Sequence, residues 1–178
     1  MCPIKVHTSA IPERFVWAAG LLQHSPVENL LEIGCGVGLL VAQIAGTITT
    51  GRVYAVDQSP SRLLKARKRN WRFIEEGVVY LEEAGFMEAD LPPSFFHRIL
   101  AFNVNLFFQE PRQELTKIKT LLHPAGKLFL FYQAPFEIDV DAAQPLVKNL
   151  ESNNFSILDI QWKQLIPTSA ICVVAKPT

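Results

Sequence analysis

Hydrophobic and polar positions along the chain fall into two alternating patterns. Phe15, Val16, Ala19 and Leu22 recur at helical spacing behind Pro12, whose missing N–H costs nothing in a first turn, and predict a helix to about Gln23. Asn29 to Ile33 is a short apolar run ended by glycines, and Leu39 to Ile48 sets Leu40, Ile44 and Ile48 four apart, so the pair reads as strand, turn, helix. Arg52 to Asp57 has the β-branched and aromatic bias of a buried strand. Ser59-Pro60 then opens a helix carrying Leu63, Ala66, Phe73 and Ile74 on one side and Arg62, Lys65, Arg67, Lys68, Arg69 and Arg72 on the other, until Gly77. Val78 to Leu81 and Arg98 to Asn103 are further strands. Pro111 starts a helix with Leu115, Ile118 and Leu122 on its buried stripe, and Pro124 and Gly126 stop it before a strand from Lys127 to Tyr132. A helix near Ala142 to Leu150 precedes two last strands, Phe155 to Gln164 and Ser169 to Lys176.

Strands alternating with helices imply right-handed crossovers and a parallel sheet covered on both faces. The expected fold is α/β: a doubly wound, Rossmann-like sheet of about seven strands, mostly parallel, with a C-terminal antiparallel hairpin. The hairpin follows because Leu165 to Thr168 is too short a connection for a parallel crossover. Only Glu82 to His97 joins the third and fourth strands, so the crossover helix there is expected to be short or absent.

Composition narrows the class. The 178 residues, 49% hydrophobic and 19% charged, suffice for one core and exclude disorder, so 1–178 reads as a single domain. Lys+Arg and Asp+Glu both number 17, and a net charge of zero weighs against dedicated nucleic-acid binding. Cys2, Cys35 and Cys172 are odd in number and widely spaced, which points to a reduced, cytoplasmic setting. No apolar run approaches the roughly 20 residues that span a bilayer, and Met1 to His7 lacks the apolar stretch of a secretory leader, so no membrane association is expected. His7, His24, His97 and His123 are far apart, and no metal site is expected.

Ligands of open α/β sheets bind outside the carboxyl ends of the strands, where strand order reverses. The first strand leaves through Glu32-Ile33-Gly34-Cys35-Gly36-Val37-Gly38, whose alternate glycines permit a tight turn and close approach of a ligand to the backbone. In a dinucleotide fingerprint the third glycine would stand one position later, and Glu32 would repel a pyrophosphate. A carboxylate there suits a cationic amine, and Asp57, 19 residues beyond Gly38 at the end of the second strand, suits two ribose hydroxyls. Adenosine linked to an amino acid fits better than a dinucleotide.

These residues resemble the class I S-adenosylmethionine-dependent methyltransferases, whose first motif is an acidic residue followed by x-G-x-G-x-G and whose second strand ends in an acid. The resemblance covers Leu30 to Leu40, Val53 to Ser59, Asn103 to Pro111 and His123 to Phe129, the last similar to L-x-P-G-G-x-L with Ala125 for the first glycine. Ile11 to Ala18 and Asn103 to Phe107 are similar to segments of a group of small bacterial members. The resemblance implies a cofactor-binding core over 28–178, preceded by an N-terminal segment and helix over 1–27. It implies that Gly34, Cys35, Gly36 and Gly38 surround the methionine part of S-adenosylmethionine, with Glu32 toward its amino group, Asp57 on the ribose and Gln58 against the adenine. Phe86 or Met87 stands near the place where the family commonly has an adenine-contacting Asp, so backbone and apolar packing around Gly85 and Phe86 would replace it; Asn103, at the exit of the fourth strand, joins the cofactor-binding residues. His97 replaces another common Asp.

The implied activity is methyl transfer to a small-molecule acceptor by in-line displacement, with S-adenosylhomocysteine as product. The alternatives are cofactor binding without turnover, and an RNA or protein acceptor, the RNA met through the basic helix face. No residue is assigned as catalytic: Asn103 and Asn105 can position an acceptor, and Glu82, Glu83, His7 and Tyr132 are the candidate bases. Acceptor choice is expected to fall to the segment before Pro12, the loops after Asn103 and around Pro135, or a partner subunit in a homodimer.

Overall fold

The computed structural model describes residues 11–178; His7, Cys2 and nearly all of the segment before Pro12 lie outside the described residues. In chain order the elements are α1 (Glu13–Leu22), β1 (Asn29–Ile33), α2 (Leu39–Ala45), β2 (Arg52–Asp57), α3 (Pro60–Glu75), β3 (Val79–Glu83), β4 (Phe96–Phe102), α4 (Arg112–Leu121), β5 (Leu122–Gln133), α5 (Gln144–Ser152), β6 (Phe155–Lys163) and β7 (Ala170–Pro177). Short 3-10 turns at Asn105–Phe108 and Val140–Ala143 complete them. The strands form one sheet in the order β3-β2-β1-β4-β5-β7-β6. β1 to β5 are parallel, and β7 pairs antiparallel with both β5 and β6, as the short connection requires.

Successive strand side chains point to opposite faces, so one run of apolar residues serves two cores. Leu31 and Ile33 pack with Leu115, Ile118 and Leu121 of α4 and Leu146 and Leu150 of α5. Leu30 faces the other way, with Ala18 and Leu22 of α1, Leu40, Val41 and Ile44 of α2, and Leu63 of α3. The same alternation sends Glu32 to the α1–α3 face. No helix among the described residues is long and apolar enough to cross a membrane.

Several boundaries differ from the sequence reading by a residue or two, and three of them have a clear physical reason. α2 ends at Ala45, not Ile48: Gly46 closes it, and Thr47 and Ile48 make turn bonds to Ile44 and Ala45. β5 begins at Leu122, ahead of Pro124 and Gly126. Its register jumps from the pair Phe96–Leu122 to Arg98–Lys127, so residues 123–126 bulge out, and Pro124 sits where no ladder bond is lost. β4 ends at Phe102, because Asn103 turns to a φ of 54°. Between β3 and β4 there is no crossover helix, only turns over 84–95.

Candidate functional site

Strand order reverses between β1 and β4, and a cavity of about 710 Å³ opens there at the carboxyl ends of β1, β2 and β4. Its wall includes Gly34, Asp57 to Ser59, Ser61 and Arg62, Ala84 to Phe86, and Asn103 to Leu106. The volume lies within the range of roughly 300–1,000 Å³ usual for small ligands and cofactors.

The three glycines of the β1–α2 loop all have positive φ, at 72° for Gly34, 56° for Gly36 and 71° for Gly38, but a side chain is excluded for three different reasons. A Cβ on Gly34 would stand 2.8 Å from Val104 Cγ2, so this glycine lets the loops after β1 and β4 touch. On Gly38 it would stand 2.6 Å from Asn70 Nδ2 and 2.9 Å from the Ala66 Cβ, so this one lets α3 pack on the start of α2. On Gly36 it would meet nothing within 4 Å, so only backbone conformation, and whatever approaches the open side, favours glycine there.

Asp57 ties this loop to β2. Its Oδ2 accepts the Gly36 N–H at 2.8 Å, and its Oδ1 accepts the Ser59 N–H at 2.9 Å, an Asx turn leading into α3. The Gly34 and Cys35 N–H groups both donate to the Val56 carbonyl. An ionised carboxylate has about four lone-pair sites, so two remain on Asp57 for a ligand.

Asn103 lines the cavity, yet its amide is already partly used. Nδ2 donates to the Gln133 carbonyl at 3.0 Å, and Oδ1 accepts the Gln133 N–H at 2.8 Å, a reciprocal pair that clamps the exit of β4 to the end of β5. One Nδ2–H and one Oδ1 lone pair of Asn103 remain for a ligand, in an orientation fixed by the pair.

Glu32 lies beneath the loop, not on the cavity wall, and is 3% exposed. Burial pushes its carboxyl up to about 8; the Val41 N–H, in the first turn of α2, opposes this, and the Asp57 charge adds to it. Its Oε2 has no partner. Cys35 is also buried, and burial with the charges of Glu32 and Asp57 drives its thiol far up, so it stays a thiol.

Of the residues singled out in the sequence for the site, the cavity brings together Gly34, Asp57, Gln58, Gly85, Phe86, Asn103 and Asn105. Cys35, Gly36 and Gly38 shape the loop without lining it, and Glu32 supports it from below. Among the candidate bases, Glu82 accepts the Asp90 N–H at 3.0 Å and Tyr132 packs on Phe108 at 4.6 Å; neither they nor Glu83 line the cavity, and His7 is outside the described residues. Sequence reasoning missed Ser61 and Arg62. The sequence reading sets Arg62 with the basic residues on the outer side of α3, but its place in the first turn after Asp57 is a signal for the cavity. Asn70, an amide in line with Leu63 and Ala66, was a second overlooked signal.

Comparison with known proteins agrees with this fold. The family described as "Methyltransferase domain" matches residues 31–130, more than half of the chain. The "Uncharacterized methyltransferase YdaC" of Bacillus subtilis (strain 168) is 23% identical over 166 residues, covering 90% of this chain and 89% of that protein. The "O-methyltransferase cnsE" of Penicillium expansum is 24% identical over 149 residues, covering 75% of this chain; the chain spans about half (54%) of its length. Among solved structures, precorrin-6y C5,15-methyltransferase from Geobacter metallireducens GS-15 superimposes with a TM-score of 0.72 at 17% identity, covering 100% of this chain and 94% of that one, a likeness of fold. With the glycine loop, the acid ending β2 and the seven-stranded sheet in place, the chain belongs to the class I S-adenosylmethionine-dependent methyltransferase family.

Proposed function

We propose that the chain binds S-adenosylmethionine in the cavity at the β1, β2 and β4 exits and transfers its methyl group to a small-molecule acceptor. The observation that carries this reading is Asp57, whose carboxylate is held by the Gly36 and Ser59 N–H groups at the cavity wall and keeps lone pairs for two vicinal hydroxyls. The residues present fit such a ligand. Asp57 would hold the ribose, Gln58 and the Ala84–Phe86 backbone would flank the adenine, and Phe86, 7% exposed, would supply its apolar wall. The 34–38 loop would take the methionine part.

When bound, the sulfonium supplies an already activated methyl group. The chain's own work is then alignment, which can supply much of the acceleration of an in-line displacement. Asp57 and the glycine loop fix the donor side. Ser61, Arg62 and Asn105 are polar side chains of the cavity wall that can orient an acceptor. A small acceptor agrees with a chain whose described helices and strands all belong to the sheet and its covering layers, and with the relative of 54% coverage named an O-methyltransferase, which makes hydroxylated compounds the first to screen.

A second reading, binding without turnover, is favoured by one observation: among the described cavity-lining residues the ionisable side chains are Asp57 and Arg62, neither free to act as a base. Incubation with methyl-labelled S-adenosylmethionine and a panel of phenols, carboxylic acids, thiols and amines separates the two. Labelled product with stoichiometric S-adenosylhomocysteine supports transfer; tight cofactor binding with no product across the panel supports the second reading.

A further inference from the structure

Asn70 is an amide in an apolar position. It lies on the buried stripe of α3 with Leu63 and Ala66, at 0% exposure, where a leucine or alanine would satisfy the helix pattern. Its Oδ1 has no partner, an arrangement that costs stability. The compensation is specific. Its Nδ2 donates to the carbonyl of Gly38 at 3.1 Å, as well as to its own helix at the Ala66 carbonyl at 3.0 Å. The neighbouring Arg69 guanidinium donates to the Val37 carbonyl, so two consecutive residues of α3 hold two consecutive carbonyls of the glycine loop. The contact is close because Gly38 has no Cβ. The same helix lines the cavity at its other end through Ser61 and Arg62.

We propose that Asn70 is a positioning residue: it holds the β1–α2 loop in its ligand-binding shape through the Gly38 carbonyl, at the expense of fold stability. The inference rests on the cofactor reading above for its ligand and on α3 for its geometry. It explains why a helix that needs an apolar residue keeps an amide with one unsatisfied oxygen.

The test compares the wild type with Asn70→Leu and Asn70→Ala by thermal unfolding, by calorimetric titration with S-adenosylhomocysteine, and by the amide resonances of Gly36, Val37 and Gly38. Asn70→Leu, close in volume, is expected to unfold at or above the wild-type temperature, whereas Asn70→Ala also opens a cavity and should unfold below it; both should bind about tenfold more weakly, as for loss of one buried hydrogen bond, and show shifted or broadened loop resonances. A residue that served only stability would lower the unfolding temperature and leave the affinity of the folded protein unchanged. Wild-type affinity in either folded variant, or failure of both to fold, overturns the proposal. If the wild type takes up no S-adenosylhomocysteine, the cofactor reading falls, while unperturbed loop resonances in the variants would separately overturn the positioning role.

Discussion

Glu32 occupies the one charged position of β1, and its environment makes its protonation state a stability term. Its folded value of about 8 stands above the ordinary 4.5, so between those pH values the folded chain keeps a proton that the unfolded chain has released. Stability from this group is full below the unfolded value, falls as pH rises through that window and levels off above it. Glu32→Gln removes the titration while keeping an acceptor for the Val41 N–H. The unfolding free energies of the two proteins should therefore converge near pH 5 and separate in the variant's favour toward pH 8, by up to about 4 kcal/mol, as read from denaturant melts at each pH. A pH-independent gap would show that Glu32 does not hold its proton in the fold. The glycines make a second prediction at this scale. Gly38→Ala pushes a Cβ into Ala66 and Asn70 and should destabilise the chain more than Gly36→Ala, whose Cβ meets open space and whose cost is mainly the left-handed backbone, about 1–2 kcal/mol. Equal unfolding temperatures for the two variants would contradict the packing described for Gly38.

At the scale of elements, periodicity made most of the fold legible. Apolar residues four apart located the helices, and apolar runs bounded by Gly, Pro and Asp located the strands, because burial on one face or two imposes those periods. What periodicity could not show was pairing register. The β4–β5 offset depends on a bulge over 123–126, and the sequence signal, Pro124 and Gly126, reads equally well as a stop before the strand. Gly126 is needed there because a Cβ would stand 2.7 Å from the Phe96 carbonyl and 2.8 Å from that of His123. Gly126→Ala should therefore cost about 1–3 kcal/mol in chemical denaturation, and a neutral result would mean the bulge relaxes freely. His97 and His123 border this bulge and stack at 4.4 Å; the Nδ1 of His97 accepts the Asn29 N–H, so the histidine in place of a common Asp still ties β4 to β1.

Across the whole molecule, the candidate site was legible where a motif binds backbone and ligand at once, as with Gly34 and Asp57. It was not legible where a side chain answers a distant partner. That Asn103 pairs with Gln133, 30 residues on, or Asn70 with Gly38, 32 residues back, depends on crossovers that no local pattern records. The cavity sits between elements from both halves of the sheet, so a ligand bound there should stabilise the domain as a unit. At a free concentration of about 100 Kd, S-adenosylhomocysteine should add about 2.7 kcal/mol and raise the melting temperature by roughly 5–10 °C. The most direct test of the central claim is a calorimetric titration of S-adenosylhomocysteine into the wild type and Asp57→Ala. The account predicts saturable one-to-one binding by the wild type and a loss of about 1.5–3 kcal/mol, at least tenfold, in the folded variant, since Asp57 both meets the ligand and holds Gly36. No binding by the wild type, or equal affinity in the variant, would contradict it.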